Sequence, residues 1–202
     1  MKIFCVGRNY VDHAKELNNP VPDQPLIFMK PSTALLQNNQ DFVYPEFSKE
    51  IHYEGEIVIR ISKTGKNIAL EEAHQYFNQI AFGFDFTARD IQSQLKQKGQ
   101  PWEIAKGFDG SAAIGGFLSF NSSLSDNNHF ETYKNGKQVQ NGNTNEMIFS
   151  YSDIIVYLSK FFTLEAGDII FTGTPKGVGK VEKGDVLEGV IDGRKVLSCT
   201  II

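Results

Sequence analysis

The sequence is poor in the residues that mark several large classes of protein. Two cysteines among 202 residues, Cys5 and Cys199, are too few for a disulfide framework or a cysteine-rich metal cluster. Both lie in apolar, strand-like runs, and we expect them to be buried free thiols. Lysine and arginine number 20 against 24 aspartates and glutamates, so the basic excess of a nucleic-acid binder is missing. No nucleic-acid partner is expected.

Long hydrophobic runs are also missing. No apolar segment approaches the about 20 residues that a membrane-spanning helix needs. The opening stretch MKIFCVGRNY lacks the apolar core of a signal peptide. We therefore expect no membrane partner and a cytoplasmic location. The length of 202 residues suits one domain, residues 1–202, with a sizeable core.

β-Branched and aromatic residues between Gly, Asn and Pro predict a β-rich α+β fold. Asn135-Gly136 and Asp192-Gly193 supply the positive φ of tight hairpin turns, so the strands around them should be antiparallel. Thr87-Ala88-Arg89-Asp90 resembles a capping box at the start of a helix. The predicted strands cover residues 3–6, 57–62, 80–86, 117–120, 131–134, 168–172, 186–191 and 196–201. The predicted helices cover residues 10–17, 70–79, 88–98 and 152–161.

The stretch IHYEGEIVIR, residues 51–60, places two glutamates one residue apart. On a strand, Glu54 and Glu56 would share a face with His52. Neighbouring carboxylates repel unless a cation, a shared proton or water relieves them. Asp85, alone in the apolar run IAFGFDFTARD, needs a partner as well.

These three acids could form an all-oxygen site for a hard divalent cation such as Mg²⁺ or Mn²⁺. Glutamates spaced in this way are common, however, and an ordinary salt-bridged pair of strands is the alternative. His52 could add a nitrogen ligand, although a supporting or core position suits a histidine there better.

A second pair of interest is His13 and Glu16. Positions three apart on the predicted helix share a face, so the glutamate can orient the imidazole and make it more basic, as deprotonation of a water requires. The same spacing fits a solvated pair on a polar helix. The Gly-rich run TGTPKGVGK lacks the spacing of a phosphate-binding loop, which excludes nucleotide binding by that mechanism.

Seven blocks, in order along nearly the whole chain, carry a resemblance to a known family. They are GRNYVDHAKE, FMKPST, HYEGE, FDFTARDIQ, KGQPWEIAKGFDG, MIFSYSDII and GDIIFTGTPKGVG. The chain resembles the fumarylacetoacetate hydrolase family, and specifically its short acylpyruvate hydrolase and oxaloacetate decarboxylase branch. The resemblance implies a mixed, largely antiparallel β-sheet roll with peripheral helices, a homodimer, and a mobile lid at residues 8–20.

The resemblance also implies the residues of the site. The metal ligands would be Glu54, Glu56 and Asp85, holding Mg²⁺, or alternatively Mn²⁺ or Ca²⁺. The catalytic residues would be His13, Glu16 and Lys106, and the substrate would contact Arg8, Arg89, Thr174 and Lys30.

The activity implied is cleavage of the carbon-carbon bond of 3-acylpyruvates, such as acetylpyruvate and fumarylpyruvate, through a stabilised pyruvate enolate. The same enolate makes oxaloacetate decarboxylation or tautomerisation an alternative, and a catabolic isomerase or decarboxylase of the family is another. A non-catalytic β module that binds Ca²⁺ explains the carboxylates but not His13 and Glu16. The expected partner is a small 2-oxo acid substrate.

Overall fold

The computed structural model describes residues 1–17, 20–37, 39–120 and 127–202. Its strands are β1 Ile3–Gly7, β2 Leu26–Lys30, β3 Leu35–Gln37, β4 Ile51–Tyr53, β5 Gly55–Ile61, β6 Phe77–Asp85, β7 Thr87–Ala88, β8 Ala112–Ile114, β9 Leu118–Ser119, β10 His129–Lys134, β11 Lys137–Asn143, β12 Ile169–Phe171, β13 Gly179–Lys180, β14 Val186–Ile191 and β15 Arg194–Thr200. Its α-helices are α1 Val11–Glu16, α2 Leu70–Ala73, α3 Arg89–Gln97, α4 Glu103–Lys106 and α5 Tyr151–Phe161. Short 3₁₀ turns lie at Ser32–Ala34 and Thr144–Glu146.

The strands form three sheets. An eight-stranded sheet runs in the order β2-β1-β12-β5-β6-β8-β3, with β9 also pairing with β6. A four-stranded sheet has the order β11-β10-β14-β15, and a three-stranded sheet the order β13-β4-β7. Among the described strands, only the β1–β12 and β3–β8 pairs are parallel. The predicted β-rich α+β architecture, mixed but largely antiparallel with peripheral helices, is confirmed.

Strand β6 is the centre of the hydrophobic core. It pairs with β5, β8 and β9 and is buried along most of its length. Phe82 makes edge-to-face contacts with Phe84 and with Phe130 of β10. The Phe82 ring also packs against Gly189 of β14, so the four-stranded sheet lies directly on β6. This packing fixes the far end of β6, where Asp85 lies.

Helix α5 covers the core from outside. Ser150 and Asp153 form a reciprocal capping box at its start, which satisfies backbone donors that the first turn would leave free. Ile154, Ile155 and Leu158 bury the apolar face. The helix predicted at residues 152–161 is confirmed.

The other local predictions are mostly confirmed as well. Each of the eight predicted strands is present, with ends shifted by up to three residues. Both hairpin turns have the expected positive φ, 52° at Asn135 and 47° at Asp192. Cys5 and Cys199 are buried and free. None of the described helices has the length and apolar character that a membrane crossing requires.

The helix predicted at residues 70–79 is wrong in its second half. Helix α2 ends at Ala73, and β6 begins at Phe77. Ala73, Tyr76, Phe77 and Ile80 are all buried, and their spacing is that of one face of a helix. Pairing of residues 77–84 with β5 gives the backbone its hydrogen bonds in the sheet instead. The pairing with β5 therefore outweighs the helical spacing of the buried residues.

The capping box predicted at Thr87-Ala88-Arg89-Asp90 is also wrong. Helix α3 begins at Arg89, and no side chain caps it. Residues 87–88 are strand β7, which pairs with β4. The Asp90 carboxylate accepts hydrogen bonds from the Ser48 hydroxyl and the Lys49 N–H, and so ties α3 to the segment before β4.

The contact between Gly189 and Phe82 gives a stability prediction. A Cβ on residue 189 would lie 2.2 Å from Phe82 Cδ1. We expect Gly189→Ala to lower the free energy of unfolding by about 1–3 kcal/mol, because the packed core must shift to accept a methyl group. The matched control is Gly116→Ala, since nothing lies within 4 Å of a Cβ there. Urea unfolding followed by circular dichroism measures both, and equal stability of the two variants would contradict the packing described.

Candidate metal centre and active site

Three buried carboxylates meet where β5 begins and β6 ends. The two strands are antiparallel, with Gly55 opposite Phe84 and Glu56 opposite Gly83. The Asp85 N–H donates to the carbonyl oxygen of Glu54 at 2.9 Å, which locks the two ends together. One oxygen from each of Glu54, Glu56 and Asp85 lies within 4.8 Å of the others. The predicted trio is therefore brought together.

The two glutamates do not lie on one uninterrupted strand, as the sequence pattern suggested. Strand β4 ends at Tyr53 and β5 begins at Gly55, which leaves Glu54 at the junction. A Cβ on residue 55 would lie 2.2 Å from Thr132 Oγ1, so only glycine fits there. Gln140 accepts a hydrogen bond from the Gly55 N–H, and Thr174 donates one to the Gly55 carbonyl.

His52 does not join the carboxylates. Its Nε2 lies 3.1 Å from Glu50 Oε1, and its Nδ1 accepts a long hydrogen bond from Arg89 Nε at 3.4 Å. The mixed site with a nitrogen ligand finds no support in this geometry. The supporting position expected for His52 fits it better.

Three cations lie against two of the acids. Lys106 Nζ, at the end of α4, lies 2.7 Å from Glu54 Oε2 and 2.7 Å from Asp85 Oδ2. Arg89, at the start of α3, donates to Glu54 Oε1 at 2.5 Å. Lys30, at the end of β2, places its Nζ 2.7 Å from Asp85 Oδ1. These cations offset much of the negative charge of Glu54 and Asp85.

Glu56, the third acid, differs from the other two because no cation of the described residues pairs with it. Within the described ranges no lysine, arginine or histidine forms an ion pair with it, although its side chain is buried. It accepts one hydrogen bond from the Gly173 N–H at 2.7 Å. A buried, uncompensated carboxylate beside two others calls for a positive charge or a proton.

Asp85 Oδ1 adds a second observation of the same kind. It is buried and, within the described residues, has no partner in hydrogen-bond geometry despite its closeness to Lys30. The Lys30 ammonium donates instead to the backbone oxygens of Lys106 and Ser111 and to the Ser111 hydroxyl. The all-oxygen donor set, with Glu56 unpaired by any cation of the described residues and Asp85 Oδ1 without a hydrogen bond there, fits a hard divalent cation.

The charges shift the pKa values in opposite directions. Burial disfavours ionisation of Glu54, but the facing Lys106, Arg89 and His13 outweigh it and hold the pKa of Glu54 well below its ordinary value. Burial raises the pKa of Glu56 well above its ordinary value, and Asp85 and Glu54 raise it further. Burial lowers the pKa of Lys106, yet Asp85 and Glu54 outweigh burial, so the pKa is raised and the ammonium stays charged.

His13 and Glu16 form the predicted pair. His13 Nδ1 lies 3.2 Å from Glu16 Oε2, and the His13 side chain is only 6 % exposed. Burial lowers the pKa of His13, and the opposing effects of Glu54 and Glu16 do not restore it. The ring is therefore neutral at pH 7 and can accept a proton.

Helix α1 lies over the pocket as a lid would. Glu16 Oε1 accepts a hydrogen bond from the Gly177 N–H at 3.0 Å, and Lys176 lies 2.9 Å from Asp12 in an exposed ion pair. The mobility expected of residues 8–20 stays a prediction, and residues 18–19 lie outside the described part of the chain.

The predicted substrate contacts divide into two groups. Arg8, Arg89 and Thr174 line the pocket. Lys30 lies behind Asp85 and is not among the lining residues, so its contacts indicate support of the carboxylate. The Thr174 hydroxyl donates to the Gly55 carbonyl and accepts from Gln140 Nε2 at 2.8 Å, which gives it a structural task as well.

Sequence reasoning did not select several of the lining residues, among them Gln92, Lys96 and Trp102. Gln92 accepts a hydrogen bond from Arg89 at 2.7 Å, and the Lys96 ammonium lies 5.2 Å from the centroid of the Trp102 ring. A signal was available for two of them, since Gln92 and Lys96 follow Arg89 at helical spacings of three and seven. The pocket volume is about 30 Å³, which is small for a 2-oxo acid.

Comparison with known proteins identifies the family. Residues 2–202 match the family model described as "Fumarylacetoacetate (FAA) hydrolase C-terminal". The chain belongs to the fumarylacetoacetate hydrolase family. The resemblance seen in the seven sequence blocks is thus confirmed, and the strand-rich fold is that of the family.

Members of this family with related sequences carry several enzyme names. Oxaloacetate tautomerase YcgM of Escherichia coli (strain K12) is 39 % identical over 197 residues, which are 96 % of this chain and 90 % of that protein. The mitochondrial oxaloacetate decarboxylase of Dictyostelium discoideum is 43 % identical over 195 residues, 95 % of this chain and 89 % of that protein.

A solved structure of the family is also very similar. Fumarylpyruvate hydrolase from Pseudomonas aeruginosa, in complex with Mn²⁺ and pyruvate, superposes with a TM-score of 0.95 at 37 % identity and covers 100 % of this chain and 89 % of that one. The chain thus belongs to a family of enzymes with tautomerase, decarboxylase and hydrolase relatives.

The uncompensated Glu56 gives a prediction about metal binding. We expect Mn²⁺ to raise the unfolding temperature of the unmodified protein, since a ligand at about 100 times its Kd stabilises by about 2.7 kcal/mol. Glu56→Gln should lose this effect while unfolding in EDTA at a temperature no lower than the unmodified protein, because the change removes a buried repulsive charge. Glu46→Gln, at an exposed position, is the control. Mn²⁺ stabilisation that survives Glu56→Gln would exclude the proposed ligand set.

Proposed function

We propose that the chain interconverts the keto and enol forms of oxaloacetate, with Mg²⁺ or Mn²⁺ held by Glu54, Glu56 and Asp85. The observation that carries the proposal is a buried, neutral base, His13, in the same pocket as the acidic trio and the charged Lys106. A bound divalent ion supplies Lewis-acid polarisation of a 2-oxo acid and so favours enolate formation. The tautomerase relative supports this choice of reaction.

The chain's own residues account for the proton transfer. In the enol-forming direction a C–H bond next to the 2-oxo carbon breaks, and His13 takes the proton. The electron pair forms the carbon-carbon double bond and leaves negative charge on the 2-oxo oxygen, which Lys106 stabilises electrostatically. Solvent water protonates that oxygen, His13 returns its proton to the hydroxide left behind, and the enol is released. Glu16 holds the imidazole in place and stabilises its charged form.

Hydrolysis of 3-acylpyruvates is the second candidate. The same His13 and Glu16 pair suits removal of a proton from water, and the structurally similar Pseudomonas aeruginosa protein is a fumarylpyruvate hydrolase. Hydroxide would add to the distal carbonyl, and the bond to the pyruvate fragment would break to give pyruvate enolate and a carboxylic acid. Decarboxylation of oxaloacetate would pass through the same enolate and release CO₂.

The test is to supply Mg²⁺ with oxaloacetate, acetylpyruvate and fumarylpyruvate in turn. Enol absorbance, pyruvate, CO₂ and carboxylic acid are followed together. We expect rapid equilibration of the oxaloacetate enol without matching pyruvate or CO₂. His13→Asn should reduce the rate by about 10²–10⁴, whereas His74→Asn, at an exposed histidine, should leave it unchanged.

The outcomes separate the candidates. Pyruvate and acid released from an acylpyruvate at the higher kcat/KM would assign the chain to the hydrolases, and CO₂ release to the decarboxylases. Absence of metal-dependent turnover with all three substrates would exclude the enzymatic proposals together.

The pKa of His13 predicts the pH dependence. The base must be neutral to act, and burial, assisted by Arg89, lowers its pKa against the influence of Glu54 and Glu16. Activity should therefore persist below the ordinary histidine pKa of about 6.5 and fall only at lower pH. A profile of kcat/KM against pH measures this, with Mn²⁺ binding followed over the same range as the control. If kcat/KM already falls on the acid side at a pH above the ordinary histidine pKa, a buried histidine base is contradicted.

A further inference from the structure

Two cations in the pocket have no acidic partner among the described residues. Arg8 and Lys96 both line it, and among the residues that the structure describes neither forms an ion pair or a hydrogen bond through its side chain. Arg89 and Lys106, by contrast, already pair with Glu54. The Lys96 ammonium is held over the Trp102 ring, 5.2 Å from its centroid. The rim of the pocket therefore carries free positive charge.

The surroundings of Lys96 show that this charge is uncompensated. Burial, together with the nearby Arg89, Arg8 and Lys106, lowers the pKa of Lys96 to about 8, against an opposing effect of Glu54. Burial also lowers the pKa of Arg8. Arg8 is held with a φ of 60°, a conformation uncommon outside glycine, at the start of the segment that leads into α1. Cations kept partly desolvated without a counter-ion form a binding site for an anion.

We propose that Lys96 and Arg8 form a subsite for the second carboxylate of a dicarboxylic 2-oxo acid. The inference rests on the proposed function, because a divalent ion held by the acidic trio would bind the other end of the substrate. A 2-oxo acid presents its first carboxylate and oxo oxygen at the metal centre. The distal carboxylate then reaches the free cations, and Lys96 selects dicarboxylates over monocarboxylates.

The subsite can be tested by binding, without turnover. Malate and lactate share a 2-hydroxycarboxylate and differ by the distal carboxylate, and neither is a 2-oxo acid. Trp102 is the single tryptophan of the chain and contacts Lys96, so its fluorescence reports ligand binding in the presence of Mn²⁺. We expect malate to bind about tenfold more tightly than lactate, as for a charge pair at a partly desolvated site.

The decisive variant is Lys96→Met, which keeps the apolar stem and removes the charge. The ratio of the two dissociation constants should fall toward one in this variant, in which Arg8 remains, whereas Lys98→Met, at an exposed lysine just after the same helix, should keep the original ratio. Electron paramagnetic resonance of Mn²⁺ checks that Lys96→Met still binds metal and is folded. An unchanged ratio in Lys96→Met, or equal affinities in the unmodified protein, would overturn the proposal.

The proposed activity and the subsite can fail separately. If oxaloacetate is not turned over but malate binding still depends on Lys96, the subsite stands and the assigned reaction is wrong. If oxaloacetate is turned over and Lys96→Met leaves the malate to lactate ratio intact, the reaction stands and the subsite is overturned.

Discussion

Three carboxylates buried within a few ångströms of one another are the constraint on which this structure depends. Like charges in a medium of low polarity repel strongly, and each also loses its hydration. Ion pairs offset part of this unfavourable energy. Lys106 and Arg89 pair with Glu54, and Lys30 and Lys106 pair with Asp85. Glu56 is left without a cation among the described residues. An arrangement that served stability alone would not bury this third acid, so its presence favours a ligand that completes the charge.

The surrounding elements follow from the need to hold these acids in place. Gly55 lets β5 approach Thr132 of the four-stranded sheet, and Gln140 and Thr174 bind its backbone from two sides. Gln140 Nε2 in turn donates to the Thr174 hydroxyl, which joins the two supports into one network. Such a network restricts the two glutamates to one geometry, and a metal centre requires that its ligands be positioned before the ion arrives.

The sequence predicted those features that depend on a few neighbouring residues. Asn135-Gly136 and Asp192-Gly193 predicted hairpins because their φ values are a local property. The three carboxylates could be assigned to one metal site only through the resemblance to the family, since glutamates at this spacing also occur in ordinary strands. The prediction of a helix failed at Ala73, Tyr76, Phe77 and Ile80. Their spacing is helical, but residues from Phe77 onward pair with strand β5 instead. The helical spacing of Lys96 from Arg89 indicates a shared face, but the lack of an acidic partner within the described residues depends on what surrounds Lys96 in space, which the sequence does not give.

Helix α1 links chemistry to access. It carries His13, the base of the proposed reaction, and the same helix closes the pocket through Glu16 at Gly177 and Asp12 at Lys176. The pocket volume beneath the helix is about 30 Å³, which is small for a 2-oxo acid, and we propose that α1 moves to admit one. Opening would carry the base away from the carboxylates, and closing would bring it back while excluding water. In the lid movement and reaction that we propose, the proton acceptor would be in place only when the substrate is enclosed, and the charges around the pocket would stabilise the enolate.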